Sequence, residues 1–378
     1  MSPLPLTILS RIFVHLPPPS IGAAIRVNSQ FYRAGIEQLH NHIWMTEHGP
    51  WPSFTDMDRF PPLPLQQMLG RSWLRSVVHT LDVFGHSTRV CMTNPDDMWV
   101  TADSLPALPN IKILRIHMTN PFGTSQHQRS FHTNGDQQFH SNSAPHMHVL
   151  PQCPAVYRIK PRTLVALGGP IVYREKPITA LPYGLLAAVE RYVLVLSPDA
   201  ELLLADKTSA VPILRARAIA SDIANVPDAT DIVIVFYTPR PHIEWRGAVA
   251  TMRTESHIKR TWAGRFLTEL AHLIAQLPFF QHIKFVNAGS LDKYATAQQV
   301  WDPAEGMRAL ETHFRKQMDA YAQGQGHERG DRIAEWCRTT TVDFVSMEDY
   351  LRHTQWKGEF EHAEVAEWLR PKRVWGYL

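Results

Sequence analysis

Three segments of this chain share one layout, and it constrains the fold more than any other feature. "LPNIKILRI" (108–116), "VPDATDIVI" (226–234) and "LPFFQHIKF" (277–285) each open on an aliphatic residue followed by proline. Each then places apolar residues six and eight positions after the aliphatic one: Leu114 and Ile116, Ile232 and Ile234, Ile283 and Phe285. Side chains two apart point to the same side of an extended chain, so each segment predicts a strand with one face toward a core. The proline, lacking an N–H, ends the helix or turn before it.

Other short apolar runs predict further strands: "VVHTLDVF" (77–84), "RTLVALGG" (162–169), "RYVLVLS" (191–197) and "TVDFVS" (341–346). Helices lie between them. In "WAGRFLTELAHLIAQL" (262–277), Trp262, Phe266, Leu270, Ile274 and Leu277 hold one face, and the helix runs into the third aliphatic-proline strand. Asp302, Pro303 and Glu305 signal the start of another, with Met307, Leu310, Phe314 and Met318 along its face. A repeated helix-to-strand unit predicts an α/β fold with a parallel sheet.

Two stretches depart from this pattern. Residues 120–152, "NPFGTSQHQRSFHTNGDQQFHSNSAPHMHVLPQ", are rich in Ser, Asn, Gln, Gly and His and poor in aliphatics, which predicts a disordered insertion. At the C-terminal end, "EVAEWLRPKRVWGYL" places Val365, Trp368 and Leu369 on a short helix ended by Pro371, expected to pack as a cap.

The front of the chain is different again. "LPLTILSRIFVHLPPPSIGAAIRVNSQFY" (4–32) carries Ile8, Leu9, Ile12, Phe13 and Leu16 at helical spacing after Pro5, a favourable residue for a first helical turn. Pro17, Pro18 and Pro19 end that helix. Ser20 is the expected N-cap of a second, carrying Ile21, Ala24 and Ile25, and a third is expected from about Val27 through Phe31, Ile36, Leu39 and Ile43. Three helices in so short a span bury little of their own surface, so the apolar face is expected to be covered, either by another chain or by the domain that follows.

These residues resemble an F-box. Leu4, Pro5, Ile8, Leu9, Ile12, Phe13, Leu16, Pro17, Ile21, Val27, Phe31 and Tyr32 fill that family's pattern of a Leu-Pro start, an Ile-Phe pair, a Leu-Pro break and a Val-x-x-x-Phe-Tyr helix. Thr7 stands where the family usually carries an acidic residue, so the first turn lacks the charge that favours a helix N-terminus. The resemblance implies an F-box-like domain over residues 1–45 that docks on the Skp-type adaptor of a cullin-RING ubiquitin ligase. The implied adaptor-binding residues are Leu4, Pro5, Ile8, Leu9, Ile12, Phe13, Leu16, Ile21, Val27 and Phe31.

The aliphatic-proline strands in turn resemble divergent leucine-rich repeats. Regular repeats recur every ~20 to 29 residues, whereas these strands lie irregularly and usually farther apart. Residues 46–378 are therefore expected to form an irregular leucine-rich-repeat-like solenoid that recognises a client, with one open α/β sheet as the alternative. Repeat proteins usually bind on the strand side of a curved sheet, which is where the client would be expected.

Composition agrees with such a reading without demanding it. With 38 basic and 35 acidic residues among 378, the formal charge of +3 is too small to mark a nucleic-acid or membrane partner. Cys91, Cys153 and Cys337 are few, odd in number and far apart, as expected of a cytoplasmic or nuclear protein without a disulfide framework. No stretch reaches the roughly 18 to 20 apolar residues of a membrane helix, and the early prolines, Arg11 and His15 do not fit a signal peptide.

Chemistry is hard to find in the motifs. His127, His132, His140, His146, His148 and Cys153 lack the tight pairing of structural zinc ligands, so no metal or cofactor is expected. No nucleophile elbow, phosphate loop or dinucleotide fingerprint occurs, and the Gly-Gly-Pro of "ALGGPIVYRE" (166–175) predicts only a tight turn. Asp199, Asp206, Asp222, Asp228 and Asp231 fall near turns and strand ends, as capping residues do. The expectation is a non-catalytic receptor subunit. The alternatives are an F-box-like binding protein outside ubiquitin transfer, or an α/β enzyme with a helical N-terminal cap.

Overall fold

A computed structural model describes residues 4–16, 18–46, 49–52, 76–84, 108–117, 156, 159–168, 172–173, 176–177, 181, 183–196, 210–227, 230–237, 262–276, 282–289, 303–324, 331, 341–353, 356, 358–360 and 362–369. The insertion expected over 120–152, its histidines and all three cysteines lie outside these residues. The fold is α/β, built on parallel strands. The chain divides into two units, Met1–Leu164 and Val165–Leu378.

The first unit opens with three helices, α1 (Leu6–Val14), α2 (Pro18–Ala24) and α3 (Ser29–His40). Ser20 lies inside α2 and does not cap it. Asn28 caps α3, its side chain accepting from the Phe31 amide at 2.8 Å. Ile43, expected on the third helix, instead belongs to strand β1 (His42–Thr46). A short antiparallel partner, β2 (Gly49–Pro52), lies on one side of β1. On the other side β3 (Thr80–Val83) and β4 (Ile113–His117) follow in parallel, in chain order. Ile43, Met45, Leu81, Val83, Leu114 and Ile116 alternate onto one buried face, which puts the first aliphatic-proline segment where its spacing predicts.

The unit boundary falls inside β5 (Thr163–Leu167). Gly168 then turns the chain with φ of 98°, a left-handed conformation open to glycine, and its amide donates to the Val195 carbonyl at 2.8 Å. A small hairpin of β6 (Val172–Tyr173) and β7 (Lys176–Pro177) and the single turn α4 (Tyr183–Leu186) lead to β8 (Arg191–Leu196). From there strand and helix alternate: α5 (Val211–Ile223), β9 (Asp231–Phe236), α6 (Trp262–Ile274), β10 (His282–Val286), α7 (Pro303–Gln323) and β11 (Thr341–Val345). The strands again lie in chain order, each parallel to the last.

The register between β9 and β10 follows directly from the repeated layout. Ile232 pairs with Ile283 and Ile234 with Phe285, so the sixth and eighth positions of the two aliphatic-proline segments lie side by side. All four are fully buried. On this face Phe236, Phe285 and Phe344 form a ladder across β9, β10 and β11, with Phe266 of α6 and Phe314 of α7 meeting it edge-on. The helices are laced in the same order: Arg217 of α5 pairs with Glu269 of α6 at 2.7 Å, and Thr268 of α6 hydrogen-bonds His313 of α7 at 2.9 Å.

The opposite face of β8 and β9 is buried as well, since Val193, Val195, Val233 and Val235 are at most 4% exposed. The C-terminal helices are α8 (Met347–Arg352) and α9 (His362–Leu369). Arg191, at the start of β8, pairs with Glu359, while Trp368 of α9 meets Tyr237 just past the end of β9, the rings tilted by 41° at 5.1 Å. This C-terminal strap is thus tied to the start of β8 and to the residue just past the end of β9.

Candidate functional site

The N-terminal helices divide their apolar residues into two sets. Leu9 and Phe13 of α1 point inward and meet Ile21, Ala34 and Leu39, with Leu16, Ala24, Ile25 and Phe31 packed around them. Phe13 sets its ring edge-on to Phe31 at 5.8 Å. The approach is close enough to require Gly35, where a Cβ would fall 2.4 Å from Phe13 Cε1 and 2.5 Å from Ile25 Cγ2. Leu9, Phe13 and Ile21 are at most 5% exposed, so the three expected as direct adaptor contacts instead form the module's own core.

The second set faces out. Leu4 is 51% exposed, Ile8 45%, Ile12 44% and Val27 68%, and Pro5 is exposed beside them. Ile8 and Ile12 lie four residues apart on α1 and so share one face, forming a stripe that Leu4 leads into just before the helix. Leu6 and Val14 are exposed too, which the F-box pattern had not singled out, and so is Tyr32, which fills that pattern without being among the implied adaptor contacts. A signal for them exists in retrospect: "LTILSRIFV" is apolar at more positions than one inward face can use. Thr7 is exposed in the first turn of α1, which contains no acidic residue.

Among the described residues, buried polar groups gather in clusters that repeat no sequence motif. In the first unit, Arg115 of β4 donates from Nη1 to Asp82 Oδ2 of β3 at 3.2 Å and sets Nε 3.1 Å from Oδ1. Both residues are about 1% exposed. His42 Nε2 lies 2.7 Å from Oδ2, and His117 Nε2 lies 3.4 Å from Oδ1 with its ring stacked on Phe84. Burial would raise the Asp82 carboxyl, but the Arg115 charge and the hydrogen bonds from His117 and His42 outweigh it and hold the group well below the usual carboxylate range.

In the second unit Arg191 bridges Asp231 and Glu359 and donates to the Tyr350 hydroxyl at 3.0 Å, which donates to Glu359 Oε2 at 3.0 Å. Burial pushes Glu359 up, against the lowering by Arg191 and Tyr350. His282 lies between Asp231 at 2.8 Å and Asp343 at 3.1 Å along the same strand starts. Another cluster is at Asp222 of α5, which accepts from the Leu181 amide at 2.9 Å and the Tyr192 hydroxyl at 3.2 Å. Burial pushes its carboxyl up to about 7.

These clusters join strands to strands, the strap to the sheet and α5 to the chain before it, which is structural work. Among the described residues no group of three or more His, Cys, Asp or Glu is arranged to hold a metal, and no helix is long and apolar enough to cross a membrane. The outward stripe on α1, by contrast, gathers exposed apolar side chains that the described fold does not bury. No family model, curated protein or solved structure matches the chain.

Proposed function

We propose that the chain is a substrate-recognition subunit of an SCF-type ubiquitin ligase, docking on a Skp-type adaptor through Leu4, Pro5, Ile8, Ile12 and Val27. One observation supports this reading most: Ile8 and Ile12 stay open to solvent while their neighbours Leu9 and Phe13 close the helical core. A helical cap on its own domain would bury that stripe. A docking module keeps it free, and covering it stabilises the complex at ~25 cal/mol per Å² of apolar surface removed from water.

The receptor would work by proximity, raising the effective concentration of a bound client at the cullin-bound conjugating enzyme without a catalytic group of its own. The F-box pattern in residues 4–32 and the chain-ordered parallel strands, side by side as in a repeat array, agree with that division of labour. Such a subunit acts in the cytoplasm or nucleus, where three unpaired-type cysteines are at home.

The test is a binding titration of purified Skp-type adaptor against the full chain and its Ile8→Glu/Ile12→Glu variant, with circular dichroism on both. Both positions are surface positions, so the variant is expected to fold and to lose binding. No binding by the wild-type chain, or equal binding by a folded variant, refutes the proposal.

A further inference from the structure

The outward stripe begins before α1 does, at Leu4, and a loose lead-in to the helix would spoil it. Leu4 lies half exposed, held through its backbone: the Gln30 side-chain amide donates from Nε2 to the Leu4 carbonyl, a contact spanning 26 residues of sequence. Gln30 is itself well placed to do this. It sits in the first turn of α3, whose start is set by Asn28 accepting from the Phe31 amide at 2.8 Å through its side chain and from the Tyr32 amide at 2.9 Å through its carbonyl.

The consequence continues into α1. Pro5 has no side chain able to cap the helix, so its carbonyl takes the first bonds, from the Ile8 amide at 3.0 Å and the Leu9 amide at 3.1 Å. Fixing Leu4 fixes the peptide that leads into Pro5 and hence the turn that presents Ile8.

We infer that Gln30 is a positioning residue for docking, one that preorders the Leu4-Pro5 start of the stripe against α3 without touching the partner. The inference rests on the docking reading above. A side chain ordered before binding spares the complex the entropy of ordering it.

The experiment uses the full chain with purified Skp-type adaptor as the probe, reading affinity by calorimetry and amide hydrogen exchange in the free chain. Gln30→Ala is expected to bind about five-fold more weakly, which is about 1 kcal/mol, the usual worth of one hydrogen bond. Gln30→Glu, which presents only acceptors to a carbonyl, is expected to bind at least as weakly, and Gln30→Arg, which restores a donor, to recover most of the loss. Exchange at the Ile8 and Leu9 amides is expected to rise in Gln30→Ala while the Phe31 and Tyr32 amides keep their protection.

Unchanged affinity in Gln30→Ala overturns the inference and leaves the docking reading intact. So does loss of protection across α1 and α3 together, which marks a general structural role. Failure of the wild-type chain to bind at all is the distinct result that refutes the docking reading itself.

Discussion

Replacing Asp222 with asparagine tests whether a charge can be kept inside this fold. The carboxyl, near the end of α5, is fully buried, and the Leu181 amide and Tyr192 hydroxyl donate to it. Its folded pKa is pushed up to about 7 by burial, against an ordinary value of 3.8. A folded pKa raised above the unfolded one means that the folded chain holds the proton longer. Its stabilising contribution is therefore complete below about pH 4, declines as pH rises, and is gone above about pH 7.

A shift of about three units corresponds to roughly 4 kcal/mol, and about 3 kcal/mol of it falls between about pH 5 and pH 8. No discount for solvent applies to a side chain with no exposed surface. Asn is neutral throughout and still accepts from the Leu181 amide. In urea unfolding, the wild-type chain is expected to lose stability relative to Asp222→Asn as pH rises from about 5 to about 8, by about 3 kcal/mol. Taking the difference between the two chains cancels every other titrating group, Glu359 included. Equal offsets at both pH values would refute the reasoning, because the carboxylate would then be ionised in the folded chain and held by its two donors.

Two further substitutions probe packing and charge. Gly35→Ala sets a Cβ against Phe13 and Ile25; the overpacking cost of about 1 to 3 kcal/mol exceeds the roughly 1 kcal/mol gained in helix propensity, so α1 is expected to lose amide protection and adaptor affinity together. Asp82→Asn removes the carboxylate charge that faces the buried Arg115 guanidinium, at a cost of about 3 to 5 kcal/mol seen as a lower melting temperature, and the double change with Arg115→Met is expected to recover much of it.

Much of the scaffold was legible because its signals are local. The strands expected at 77–84, 108–116, 162–169, 191–197, 226–234, 277–285 and 341–346 all have counterparts in β3, β4, β5, β8, β9, β10 and β11. The helix over 262–277 is α6, and the start signal at Asp302 to Glu305 opens α7. The α5 helix escaped notice because Ala216, Ala218, Ile219, Ala220 and Ile223 are all buried, which blurs the one-sided stripe that periodicity detects. Strand β1 was hidden for the opposite reason: Ile36, Leu39 and Ile43 keep helical spacing, and the pairing of Ile43 with Leu81 overrides it.

The candidate site was half legible. The pattern of residues 4–32 marked the right segment, but it could not separate Leu9 and Phe13 from Ile8 and Ile12. Adjacent positions on a helix differ by about 100° in direction, and which side faces in depends on where α3 lies. That choice was made by Gly35, which lets Phe13 approach, a glycine with no sequence signal of its own.

What the sequence by itself determined, then, is the alternation of strand and helix, the register carried by the aliphatic-proline segments and the location of the apolar N-terminal helix. These depend on backbone geometry within about a dozen residues. Only the tertiary structure decided which polar groups would be buried and paired. Asp82 with Arg115 spans 33 residues and Arg191 with Glu359 spans 168. A charge can leave water only when its partner arrives with it, and that partner comes from a distant strand or strap whose placement no local pattern encodes.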